Sequence, residues 1–241
     1  YFADVRAGEG LGVVLLTVNV FLLLSSYYLL KTVREQLILT EGGAYVKAYS
    51  AGAQALALMM VVPLYGFIAS KVVRIKLLTG LSLFFVTNLV AFSLAGRAGI
   101  ALGVVFYVWL GIYNLFVISQ FWAFAADLYT EAQGKRLFPM IGVGSSLGAW
   151  LGAEAASKLV GALNLSPYDM MLIAATVLLL CTGSIWRVNI IETSRATREM
   201  AAHAERKLDT ADGFALVFRD KYLLLIAMLI VTLNVTNSLG E

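Results

Sequence analysis

The chain of 241 residues is 60% hydrophobic and 14% charged, with a mean hydropathy of +0.84, values that exclude a soluble globular domain and describe a polytopic membrane protein. A net charge of +3 and a pI near 9.0 would suggest nucleic acid for a soluble protein, but membrane topology accounts for the excess cations here, so no nucleic-acid partner is expected. The one cysteine, Cys181 in an apolar run, excludes an internal disulfide and a multi-cysteine metal site, and neither metal nor cofactor is expected.

A polar segment with Arg6 leads into a first apolar span over 11–30, which reaches 39 if the helix continues. This run is too long for a cleavable signal peptide. Thr40-Glu41-Gly42-Gly43 reads as a helix stop and turn, followed by a span over 48–70 containing Pro63 and a tight basic loop, 71–76. A third span over 77–95 closes at Gly96-Arg97-Ala98-Gly99. The fourth, over 100–126, is the most aromatic, and 127–136 is a charged connection. A glycine-rich fifth span over 137–163 ends at the turn Asn164-Leu165-Ser166-Pro167, and a sixth covers 170–190. A charged, helix-compatible linker then precedes a seventh apolar run, Tyr222–Leu239. The start at Tyr1 and the end just after an apolar run lead us to expect a fragment of a longer chain.

Lysines and arginines divide unevenly between the two sides: thirteen lie with the N-terminus, the 71–76 and 127–136 loops and the 187–221 stretch, against Lys47 and Arg97 opposite. By the sorting rule for basic loops, the N-terminus and linker are expected in the cytoplasm. Lys31, Arg34 and Lys158 oppose that rule if they are ordinary flanking charges. A helix over 11–39 is about 43 Å long, more than the ~30 Å hydrocarbon core requires. It places Tyr27, Tyr28, Lys31, Arg34, Glu35 and Ile38 on one face, because positions three and four apart stack. Two placements are open. Either the span stops at Leu30 and the charges lie in headgroups, or the stripe turns inward to protein or a water-filled passage, where charges at lipid depth are tolerated.

The first and fourth spans echo one another. Asn19-Val20-Phe21, serines 25–26, Tyr27-Tyr28 and charges at 31–35 find counterparts in Asn114-Leu115-Phe116, Ser119, Phe121-Trp122, Asp127 and Glu131. Such an echo is what a three-plus-three inverted repeat requires of helices one and four. Gly144-Ser145-Ser146-Leu147-Gly148 matches a nucleophile-elbow pattern, but no strand precedes it and the one histidine, His203, lies in the linker, so no enzyme is expected. Gly144, Gly148 and Gly152 recur every four residues and are expected to let one helix face approach another backbone. Glu154 and Lys158 are either a self-satisfied pair or leave Lys158 to join Lys31 and Arg34 around an anion. Thr130 to Gln133 reads as a capping box opening a short cytoplasmic helix. Asp127 and Glu131 are either solvated charges or partners of Lys71, Arg74 or Lys135 in an inner gate.

The segments 27–35, Gln120-Phe121-Trp122-Ala123-Phe124-Ala125, 131–139 and 141–148 resemble the bacterial and plastid ATP/ADP translocase family, and 234–241 resembles its seventh span. The likeness covers nearly the whole chain and is most specific around 27–39 and 120–148. It implies a twelve-helix transporter related to the major facilitators, of which 1–191 would be the N-terminal six-helix bundle, 192–213 a cytoplasmic linker and 214–241 the truncated start of a second bundle. In that family a first-span base and acids of the fourth and seventh spans matter for exchange. Arg34 matches the base and Glu241 the seventh-span acid, whereas the fourth-span region reads Leu110-Gly111-Ile112-Tyr113-Asn114 and lacks one.

The expected fold is therefore an all-α, major-facilitator-like bundle in a membrane, expected to be the bacterial inner membrane. The expected function is nucleotide exchange of ATP/ADP type by alternating access, with a lipid bilayer and the missing C-terminal half as partners. Lys31, Arg34, Glu35, Tyr27, Tyr28, Asn114, Trp122, Lys158 and Glu241 are the candidate substrate-path residues, with Tyr113 a further aromatic for a purine. Asp127, Glu131, Lys71 and Arg74 are the candidate gate. The alternatives are another organic-anion cargo, or a transport-inactive module anchoring or regulating soluble domains. No Walker loop is present, so nucleotide hydrolysis is not expected.

Overall fold

A computed structural model describes residues 10–69 and 71–196, and these fold into six helices: α1 Gly10–Glu41, α2 Gly43–Ala69, α3 Arg74–Arg97, α4 Gly103–Leu128, α5 Glu131–Gly161 and α6 Pro167–Ala196. In hydrocarbon every backbone N–H and C=O must be satisfied within the chain, and long apolar runs meet that demand as helices. Five of them, α1, α2, α3, α4 and α6, are long and apolar enough to cross a membrane. α5 is 31 residues long but carries charges at both ends and a glycine-rich middle. α6 runs on through 192–196, the expected start of the linker, while the rest of the linker with His203, the seventh apolar run and Glu241 lie outside the described residues.

The first helix runs unbroken from Gly10 through its charges to Glu41. The chain reverses at Gly42 and Gly43, and Gly43 takes φ +66°, a left-handed conformation that glycine adopts without steric penalty. The fifth helix begins earlier than the apolar pattern suggests. Thr130 and Gln133 do form a capping box, but it opens α5 itself rather than a short separate helix, and the charged connection shrinks to Tyr129 and Thr130. The reason is local: once Thr130 satisfies the free N–H of Gln133, residues 131–136 continue the helix past its apolar length.

α1 is the central helix and packs most extensively on α5 and α6, then on α4. Its α5 face is a backbone seam. A Cβ added at Gly144 would lie 2.6 Å from the carbonyl oxygen of Thr17, at Gly148 2.9 Å from Cα of Phe21, and at Gly152 2.5 Å from Cα of Ser25. Small residues at this spacing let two backbones touch, and Ser25 Oγ donates across the seam to the Gly148 carbonyl at 3.1 Å. Numbering rises in the same direction on both helices, so α1 and α5 are parallel. On its α6 face Asn19, fully buried, donates through Nδ2 to the Cys181 carbonyl at 2.8 Å and to Ser184 Oγ. Between α3 and α4, Phe106, Trp109 and Tyr113 stack in a column, with Phe85 and Phe92 against its edges.

The turn of the α1–α2 hairpin is tied to α4 by Glu41, whose Oε1 accepts from the backbone N–H of Leu102 (2.6 Å) and Gly103 (2.7 Å). A carboxylate there satisfies helix N–H groups that have no partner within α4 and meets the positive end of its dipole. Glu41→Ala is expected to cost about 1–2 kcal/mol, a typical loss for a helix cap. Thermal melting of the detergent-solubilised protein checks it, and an unchanged melting curve would remove this tie from the account.

Candidate functional site

The charged stripe of α1 turns inward. Arg34 is 8% exposed and the helix has no fully exposed position between Val18 and Leu39. Its guanidinium lies over the Tyr107 ring of α4, 4.6 Å from the centroid, and donates through Nε at 3.0 Å and through Nη2 to Glu35 Oε1. The other carboxylate oxygen, Oε2, accepts from Lys47 Nζ of α2 at 3.1 Å. One carboxylate thus bridges two cations on two helices. The cluster is about one to two turns inside the ends of α1, α2 and α4, so it is enclosed by protein on the Arg34 side. The side chains of Glu35 and Lys47 remain 30% and 24% exposed.

The neighbouring candidates are arranged along the same helix. Lys31 Nζ is 5.9 Å from the centroid of the Tyr28 ring, and the Tyr27 and Tyr28 rings meet edge to face at 5.5 Å. Carrying the α1–α5 register onward from Gly152 and Ser25 brings Lys158 to about the level of Lys31. Lys158 itself is exposed and pairs with Glu154 at 3.3 Å, the self-satisfied arrangement, and does not touch Arg34. Asn114 is half-buried with its Oδ1 unpartnered among the described residues. Trp122 is half-buried and meets Phe121 and Phe138 edge on. Tyr113 does not present an open face: it is 1% exposed inside the aromatic column, so the purine slot expected of it is corrected to a core position.

At the opposite ends of the helices, Arg74 of α3 donates to Asp127 of α4 at 2.8 Å. The other two gate candidates are placed differently. Glu131 pairs with Lys135 one turn along α5, both well exposed, and Lys71 Nζ lies 3.8 Å over the Phe67 ring centroid. Lys47, Tyr107 and Glu41 are functional or structural contacts that the sequence pattern does not reveal. Each acts on a residue distant along the chain, and the one available signal is that Gly42-Gly43 folds α2 back onto the end of α1.

The model of the family described as TLC ATP/ADP transporter matches residues 103–241, more than half of the chain. The chain belongs to that family. The matched segment takes in α4 to α6 and continues to residue 241, while α1, with Arg34, precedes it. Among curated proteins the chain is similar to ADP,ATP carrier protein 1 of Chlamydia trachomatis, 25% identical over 153 residues, 57% of this chain and 29% of that protein. The protein of the same name from Chlamydia muridarum is 25% identical over 152 residues, covering 56% and 29% respectively. The aligned segment therefore spans less than a third of either relative's length. No solved structure matches the chain. Family and apolar helices together make this a multi-pass integral membrane protein of a transporter family.

Proposed function

We propose that the protein is a secondary transporter that exchanges nucleotides of the ATP/ADP type by alternating access, with the phosphates passing the cations of α1. The observation that carries this reading is the Arg34–Glu35–Lys47 cluster, closed behind Arg34 and open at Glu35 and Lys47, between α1 and α2 of a chain from an ATP/ADP transporter family. Di- and triphosphates need desolvated cations, and arginine offers a planar fork for their oxygens. Lys31 extends the positive path along α1, whereas Lys158 is paired with Glu154 on the exposed side of α5. Tyr27, Tyr28 and Trp122 offer aromatic surface for a base, Asn114 an amide, and Glu241 is the seventh-span acid.

The alternating-access reading takes α1–α3 and α4–α6 as a three-plus-three inverted repeat. Exchanging α1–α3 with α4–α6 maps the α1–α5 contact onto α4–α2, the α1–α6 contact onto α4–α3, and the α3–α6 and α1–α4 contacts onto themselves, while the α1–α2 contact has no comparable α4–α5 counterpart. The repeat relates helices that run in opposite directions, so the Arg34 cluster and the Arg74–Asp127 pair stand at opposite mouths. On this reading 1–191 is one bundle of a major-facilitator-like protein, 192–213 is the cytoplasmic linker and 214–241 opens the second bundle. The N-terminus, and with it the Arg74–Asp127 gate, lies in the cytoplasm. Uptake of labelled ATP by liposomes holding the full-length protein tests the function. Internal ADP is expected to accelerate it, and no uptake of any nucleotide counts against exchange.

A second cargo is favoured by one observation. The fourth-span region lacks an acid, and Leu110 and Tyr113 there are buried in the core. A competition panel of nucleotides, sugar phosphates and dicarboxylates distinguishes another organic anion from ATP and ADP.

A further inference from the structure

We propose that Glu35 is a tethered stand-in for the substrate's phosphate, and that Lys47 is a phosphate-binding residue which the incoming anion takes over from it. The inference rests on the transport reading above and adds to it a residue from α2 and a competition for it.

The geometry of the cluster leads there. Glu35 uses both oxygens at once, Oε1 on Arg34 and Oε2 on Lys47, so a single negative charge is set between two cations. Arg34 is held from behind by the Tyr107 ring and is the most buried of the three, so it has its final position before any ligand arrives. Glu35 and Lys47 form the more open side, which an anion reaches first. A phosphate can accept from a guanidinium fork and an ammonium together, the role the carboxylate fills here, and a polyphosphate brings more negative charge to it. Glu35 swings away on its own side-chain torsions, since it spans the two cations only through its carboxylate.

A bridge that merely fastens α2 to α1 predicts something different. Removing either end of a structural bridge breaks the same contact, so both variants shift in the same direction. A stand-in anion and a binding cation shift in opposite directions. The test uses purified full-length protein in detergent, with inorganic tripolyphosphate as the probe and ligand-induced rise in melting temperature as the readout. Glu35→Gln is expected to lower the half-saturating concentration several-fold, and Lys47→Gln to raise it about tenfold, the effect of one charge-assisted hydrogen bond. Equal-sign shifts, or no shift for Lys47→Gln, overturn the proposal. Should Lys47→Gln fail to fold, Glu35→Gln decides alone: tighter binding supports the stand-in and weaker binding overturns it. The outcome is separable from that of transport. Wild-type protein that carries ATP but gives no response to tripolyphosphate sinks this inference and leaves exchange standing, while opposite shifts without nucleotide uptake support it and count against exchange.

Discussion

Arg34→Ala is expected to reduce nucleotide uptake by the full-length protein at least about 30-fold, with membrane insertion unchanged. Truncating one partner of a buried, hydrogen-bonded charge pair typically costs about 2–5 kcal/mol, and each 1.4 kcal/mol is a factor of ten. The loss has three parts here: the fork that would grip phosphate, the cation that balances Glu35, and the guanidinium seated on Tyr107. Lys47 still neutralises Glu35 in the variant, which is why the fold is expected to survive. Arg34→Lys keeps the charge but not the planar fork, and intermediate uptake is expected. The measurement is initial uptake rate in liposomes at matched protein density. Undiminished transport by Arg34→Ala would remove this residue from the substrate path.

The second large effect concerns the fold. Gly148→Ala is expected to destabilise the protein by about 1–3 kcal/mol, the usual range for forcing a methyl group into a filled space. The added carbon would press on the main chain of Phe21, 2.9 Å from Cα, and backbone cannot rotate away as a side chain can. Gly142→Ala is the control on the same helix. Nothing lies within 4 Å of its added carbon, and the better helix propensity of alanine favours it by up to about 1 kcal/mol. The two identical chemical changes are therefore expected to move the melting temperature in opposite directions. Equal responses would mean that α1 and α5 are not in backbone contact.

Those glycines also mark how far the amino-acid sequence alone carries. Their four-residue spacing identifies a close-packing face, and the unbroken pattern through Tyr27–Leu39 allows the charged stripe to belong to the first helix. Periodicity records what one helix offers, not which neighbour receives it. Thr17, Phe21 and Ser25 as the receiving backbone are therefore illegible in the pattern. Lys47 shows the same limit more sharply. In sequence it is one basic residue beyond a turn, indistinguishable from Arg97, which pairs with Asp169. Only the reversal at Gly42 and Gly43 sets it against Glu35. The start of α5 escapes the apolar pattern for another reason: hydropathy marks where a helix meets lipid, whereas the Thr130 cap marks where its backbone begins.

The seam between α1 and α5 has a consequence for how this protein can tolerate change. At Gly148 and Gly152 the nearest atoms across the gap are main-chain atoms of Phe21 and Ser25. No residue type at 21 or 25 makes those atoms smaller. A second-site suppressor of a bulky replacement at either glycine therefore cannot arise at the facing position. Complementary large-for-small exchange, the ordinary route by which paired side chains drift together, is closed along this line.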